Sequence, residues 1–187
     1  PNVRFFGNVQ VGHDLSRSEL LAHYDAVIYS TGGSLSRPFD LPGADADNIL
    51  GSSSFVAWYN GHPDYRALKV DLSSEKAAIV GIGNVALDIA RILTLPVDEL
   101  ARTDIADHAL EALRHSKVRE VSLLSRRGPV QSAFTPKELQ QLLDMPNVHL
   151  QVDPNDLVLD AASQAELDDP LNIEAHQNMA LLREAAA

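Results

Sequence analysis

Lys76-Ala-Ala-Ile-Val-Gly-Ile-Gly-Asn-Val-Ala-Leu-Asp-Ile-Ala-Arg-Ile-Leu93 decides how the rest of the chain is read. Ala77 to Val80 is a short apolar run with the length and β-branched content of a buried parallel strand. A turn through Gly81-Ile82-Gly83 follows, and a helical pattern begins at Asn84. Gly81, Gly83 and Ala86 form G-x-G-x-x-A. In a strand–turn–helix the first glycine permits the turn, and the second admits a pyrophosphate close to the backbone. The small third residue lets helix and strand pack, while the open N–H groups of the first helical turn face the phosphates.

Outward from this motif, the reading is α/β. Toward the N-terminus, 3–6 is β-prone and Val9 and Val11 extend it. Ser16-x-x-Glu19 is a capping box for a short helix, and Asp25 to Gly33 is a second apolar run ending in a glycine pair. Residues 3–30 therefore read as β–α–β, followed by a Pro- and Asp-rich crossing loop over 34–48. A helix is expected from Ser54, stopped by Asn60-Gly61 and His62-Pro63, with Trp58 and Tyr59 as core anchors.

Beyond Leu93, Pro96 ends the central helix, and two shorter helical patterns fill 97–101 and 106–114. Residues 118–125 read as the second strand of the nucleotide unit, closed by the turn Arg126-Arg127-Gly128-Pro129. Thr135-Pro-Lys-Glu138 is a second capping box, opening a helix to about Asp144, and 148–152 reads as a further strand. The tail from Asp153 is acidic and closes on a polar helix from Ile173.

The end of the second strand is where the ribose of a bound adenosine sits in such a unit. A carboxylate there favours a free 2′-hydroxyl. Here the position carries Arg126 and Arg127, and a guanidinium suits a 2′-phosphate by charge and fork geometry, which favours NADP(H) over NAD(H). The plainer reading is a solvated basic turn; the position at the strand tip tips the balance toward the nucleotide. For Asp88 the plain reading is a carboxylate stabilised by the helix dipole, and for Glu138 it is the capping-box partner.

Composition excludes several classes. A formal net charge of −11 argues against general affinity for nucleic acid or anionic lipid. The chain has no cysteine, so disulfides and zinc–thiolate sites are impossible, and its seven histidines show no metal-ligand spacing. No apolar run has the length of a membrane span. The chain opens on Pro1, which is expected of a processed protein or a fragment.

Phe55-Val-Ala-Trp-Tyr-Asn-Gly-His-Pro63, Gly83-Asn-Val-Ala-Leu-Asp-Ile-Ala-Arg-Ile-Leu93, Arg102-Thr-Asp104 and Arg126-Arg-Gly-Pro-Val-Gln131 resemble the adrenodoxin-reductase-like ferredoxin–NADP reductases. Ala133-Phe-Thr135, Lys137-Glu-Leu139 and Asp153-Pro154 extend the resemblance to roughly residues 3–160.

The resemblance implies a Rossmann-type domain with a parallel sheet, one half of a glutathione-reductase-like two-domain flavoprotein. Residues 1–50 would be strands linking to a missing FAD domain, and 51–187 a C-terminally truncated NADP-binding domain. It implies cofactor contacts from Gly81, Ile82, Gly83, Asn84 and Val85 to the pyrophosphate, from Arg126 and Arg127 to the 2′-phosphate, and from Glu138 to the adenosine-side ribose. Asp88 matches the catalytic-site carboxylate near the nicotinamide, acting by electrostatic positioning.

The implied activity is presentation of NADPH for hydride transfer to FAD and onward single-electron transfer to a ferredoxin-type iron–sulfur partner. A bacterial cytoplasmic location is expected, with the mitochondrial matrix as second choice; by itself the segment is expected to be inactive. Ile82 stands where the family usually has Gln, and Gln141 where a second glutamate is common. The alternatives are the pyridine-nucleotide domain of a glutamate-synthase-like flavin oxidoreductase and a non-catalytic nucleotide-binding module.

Overall fold

The computed structural model describes residues 3–33, 36 and 41–186. The chain divides into two compact units, Pro1–Ser34 and Leu35–Ala187.

In the first unit the capping box forms as written. Helix α1 spans Arg17–His23, with Ser16 accepting from the Glu19 N–H while the Glu19 carboxylate accepts from the Ser16 N–H. The expected strands do not form. Residues 3–10 and 25–33 are without strand, and among the described residues the sole ladder contact of the unit is a single bridge between Val11 and Leu15. No residue of 3–33 is buried, and Phe5 and Ile28 are 93% and 89% exposed. The β–α–β reading fails for a physical reason. A β-prone run becomes a strand when a neighbour completes its ladder and covers a face, and the described residues of this unit supply neither.

The second unit is built on two parallel strands, β1 (Lys76–Val80) and β2 (Glu120–Leu124), paired in register from Lys76 opposite Glu120 to Val80 opposite Leu124. Helix α2 (Ser52–Tyr59) precedes them; α3 (Asn84–Thr94), α4 (Val97–Leu100) and α5 (Asp107–Arg114) make the crossover. Helices α6 (Pro136–Leu143), α7 (Ala161–Leu167) and α8 (Ile173–Ala185) follow β2. Helix α2 starts two residues before the expected Ser54, with Gly51 at its N-cap and no side-chain cap. The expected strand at 148–152 is absent. Its Val148 and Leu150 pack against α6, yet no ladder partner lies beside it.

Neither strand is buried on both faces; β1 alternates, while β2 is part-buried from Val121 to Leu123 and exposed at both ends. Ala77, Ile79, Val121 and Leu123 are part-buried, whereas Ala78, Val80 and Leu124 are exposed. The helices pack on one side only. Phe55, Trp58, Ile89 and Ala109 make one core against Ile79; Leu87, Phe134, Leu139 and Leu142 make a second against Leu123. A third core, Val130, Leu167, Ala175 and Met179, joins the acidic tail to the loop after β2. Asn178, buried in α8, donates to the Phe134 carbonyl at 2.9 Å and fixes that loop's far end. Among the described residues, no helix is long and apolar enough to cross a membrane.

Candidate functional site

The glycine turn connects β1 to α3. Gly81 has φ +136°, a backbone conformation in which a Cβ is strained, so the turn itself requires glycine there. Its N–H donates to the Leu124 carbonyl at 2.8 Å, extending the β1–β2 ladder into the turn. Gly83 sits at φ −117° as the N-cap of α3. A Cβ on it would meet Ala133 at ordinary contact distances of 3.8–3.9 Å, so packing does not demand glycine at 83. What the missing side chain leaves is an uncapped helix N-terminus with its backbone open to approach. Ala86 is buried, as the third position of the motif requires.

The loop after β2 runs alongside this turn. The Ala133 N–H donates to the Ile82 carbonyl at 2.9 Å, and the Thr135 N–H to Asn84 Oδ1 at 2.8 Å. Asn84 therefore ties the start of α3 to the start of α6 across 51 residues of sequence.

That bond alters the reading of the second capping box. Thr135 Oγ1 accepts from the Glu138 N–H at 3.4 Å, but the Thr135 N–H is already taken by Asn84. Glu138 is thus not a reciprocal cap. Its carboxylate instead faces Arg91 on α3, with Oε2 at 3.7 Å from a guanidinium nitrogen.

Arg91 also pairs with Asp88, one turn earlier on α3, and donates to Gln141 Oε1 on α6 at 2.6 Å. The plain dipole reading of Asp88 gives way to an ion pair. One partly buried guanidinium therefore holds both carboxylates singled out in the sequence, which the resemblance had assigned to different parts of a nucleotide. Tyr59 borders this group. Burial, reinforced by the Asp88 charge, pushes its phenol above the ordinary value, while Arg91 and Asn60 pull it back. Trp58, by contrast, is a core anchor, with the His108 ring edge-on at 5.8 Å.

Arg126 and Arg127 are exposed at the same end of the sheet as the glycine turn, two and three residues beyond Leu124. Among the described residues neither guanidinium enters an ion pair. The structure thus brings Gly81 to Val85 and the arginine turn to one end of the sheet, and Asp88 and Glu138 together between α3 and α6. Sequence reading missed Arg91 as the link. Its spacing of three from Asp88 was the available signal; its reach to α6 had none. Among the described residues no cluster of three or more His, Asp or Glu side chains is arranged to hold a metal.

No family model matches the chain. The NADPH-ferredoxin reductase FprA of Mycobacterium tuberculosis is 49% identical over 157 residues, 84% of this chain and 34% of the relative. The mitochondrial NADPH:adrenodoxin oxidoreductase of Bos taurus is 46% identical over 82% of this chain and 31% of its own length. The structure of Mycobacterium tuberculosis FprA in complex with NADPH superposes with a TM-score of 0.85 at 45% identity, over 98% of this chain and 40% of that one.

The chain is related to the adrenodoxin-reductase-like ferredoxin–NADP reductases. It spans about a third of the length of the curated relatives it matches. Its fold is accordingly the Rossmann-type α/β of that two-domain flavoprotein class.

Proposed function

We propose that the chain is the NADP(H)-binding portion of a flavin-dependent ferredoxin–NADP reductase. The observation that carries this is the meeting of the open glycine turn and the unpaired Arg126-Arg127 turn at one end of a parallel pair. It occurs in a chain 45% identical to a protein solved with NADPH.

In this reading the backbone from Gly81 to Val85 receives the pyrophosphate at the uncapped start of α3. Arg126 and Arg127 take the 2′-phosphate, a dianion that two free guanidinium forks neutralise and orient. Glu138 accepts from ribose hydroxyls. Asp88, already neutralised in part by Arg91, acts by field and orientation near the nicotinamide rather than as an acid or base. The nicotinamide and the FAD of the complete reductase supply the hydride and electron chemistry when bound. This chain's task is to bind, align and select.

Residues 1–50 are proposed as the connection to the flavin-binding part, and 51–187 as the NADP domain. A ferredoxin-type iron–sulfur protein is the proposed electron partner. A cytoplasmic location is part of the proposal, with the mitochondrial matrix as second choice, since three relatives are named mitochondrial.

Calorimetric titration of the whole protein with NADPH and NADH tests the reading. NADPH is expected to bind more tightly, and Arg126→Ala to erase about tenfold or more of that preference, the scale of one lost charge-assisted contact. Equal affinities in the unaltered protein, or no effect of Arg126→Ala, would overturn the 2′-phosphate assignment.

A further inference from the structure

Arg91 lies outside the phosphate turn and outside the arginine turn, yet it touches both carboxylates of the candidate site. Its guanidinium meets Asp88 within α3, Gln141 Oε1 at 2.6 Å and Glu138 Oε2 at 3.7 Å, the last two on α6. These contacts have a shared geometry. Asp88 is engaged by Nη2, while Gln141 and Glu138 are engaged by Nη1, so the planar fork spans the gap between the two helices.

Asn84 makes the matching tie at the N-terminal ends of the same helices. The α3–α6 cleft is thus closed at the end near the glycine turn by an amide and further along by a guanidinium. Gln141 matters for the charge balance. It is neutral, so Arg91 faces two carboxylates rather than three, and the weaker contact leaves Glu138 able to accept hydrogen bonds from a ligand.

We infer that Arg91 is a positioning residue that holds Asp88 and Glu138 as one unit across the α3–α6 cleft and so sets where both carboxylates meet bound NADPH. The inference rests on the proposed NADPH reading and adds a residue to it. A lysine cannot substitute: an ammonium is a point charge on a flexible stem, whereas the fork fixes two helices at once.

The test is a set of mutant cycles in the whole protein, read as the dissociation constant for NADPH. Arg91→Ala is expected to weaken binding about tenfold, and Arg91→Lys to recover only part of it. In a protein already carrying Asp88→Asn and Glu138→Gln, Arg91→Ala is expected to change binding less than about twofold, because its effect passes through those two groups.

A residue that merely supports the fold would cost the same in both backgrounds, and that additive result overturns the inference. So does an unchanged affinity in Arg91→Ala, or full rescue by lysine. Far-UV circular dichroism shows whether each variant is folded; if Arg91→Ala is not, the comparison is made with Arg91→Lys in both backgrounds. The two readings fail separately. An unaltered protein that binds NADPH no better than NADH sinks the proposed function, whereas tight, selective binding with additive mutants sinks only the role of Arg91.

Discussion

Ala26 to Gly33 and Ala77 to Gly83 are close to the same sentence written twice: a short β-branched run, then glycines. In the second unit the run is β1. In the first unit the run has no ladder among the described residues, Ile28 lies 89% exposed, and Gly32 turns at φ +67° with open space where a Cβ would go. The difference is company. β1 has β2 in register along its whole length and α2, α3 and α5 over one face; the earlier run has no ladder partner among the described residues. Strand propensity states what a segment fits, and the ladder decides whether it is a strand.

The largest break of this comparison is a matched pair of truncations. Leu87, 3% exposed, sits in the core shared by α3 and α6, so Leu87→Ala in the 187-residue chain is expected to cost about 2–5 kcal/mol. Ile28→Ala removes a side chain that touches mainly water and is expected to stay within about 0.5 kcal/mol. Denaturant unfolding followed by Trp58 emission measures both. Comparable losses would mean that the first run is packed in solution and that the contrast is wrong.

The same contrast explains which parts of the fold were legible. Helices with their own punctuation were readable: Ser16 and Glu19 cap α1, Pro96 stops the helix before it, and Pro136 opens α6. Those signals act within a few residues. The strands expected at 3–6, 25–30 and 148–152 were not, because strand propensity is local and does not say whether a ladder partner will lie beside the run. The expectation of a fully buried β1 failed likewise: the run Ala77 to Val80 cannot say that helices will cover only one of its faces.

A middle-sized test uses the two turning glycines. Gly81 and Gly32 both have positive φ with open space where a Cβ would go, so alanine is strained at both, by about 1–3 kcal/mol. At Gly81 that strain falls inside the ladder, whose N–H bonds Leu124, and it should appear in full as a lower melting temperature of the second unit. At Gly32 it should relax locally. If Gly32→Ala lowers the melting temperature as much, the first unit is coupled to the core.

For the candidate site, the glycine turn was readable because G-x-G-x-x-A is local, and the structure shows a steric reason at Gly81 and at the buried Ala86. The arginine pair was readable because a strand end is a defined place. The α3–α6 clamp was not. Asp88 and Arg91 show the spacing of a helical ion pair, but nothing in the sequence says that Glu138 and Gln141 arrive on the other side. Nor could the capping pattern at Thr135 reveal that Asn84 would occupy the backbone donor the box requires.

The smallest effect is in the acid range and concerns two helix caps. In the first unit, hydrogen bonds from the Ser16 N–H and hydroxyl hold the Glu19 carboxyl below its ordinary value. In the second, the backbone and side chain of Ser163 do the same for Asp160 at the start of α7. Both groups favour the charged form when folded. Their contribution is therefore complete above the ordinary carboxylate pKa and fades as pH falls through the lowered folded values.

The consequence differs between the units. Helix α1 has no buried residue, so with its cap protonated little else holds it. Helix α7 keeps Leu167 buried against Val130 and Met179. Amide exchange followed from about pH 6 to about pH 3 should show α1 opening while α7 stays protected. Glu19→Gln should remove the pH dependence of α1, and Asp160→Asn, which keeps a good capping side chain, should leave α7 protected throughout. Equal opening of both helices would show that α7 depends on its cap rather than on the third core, and the contrast between a packed and an unpacked unit would lose its finest support.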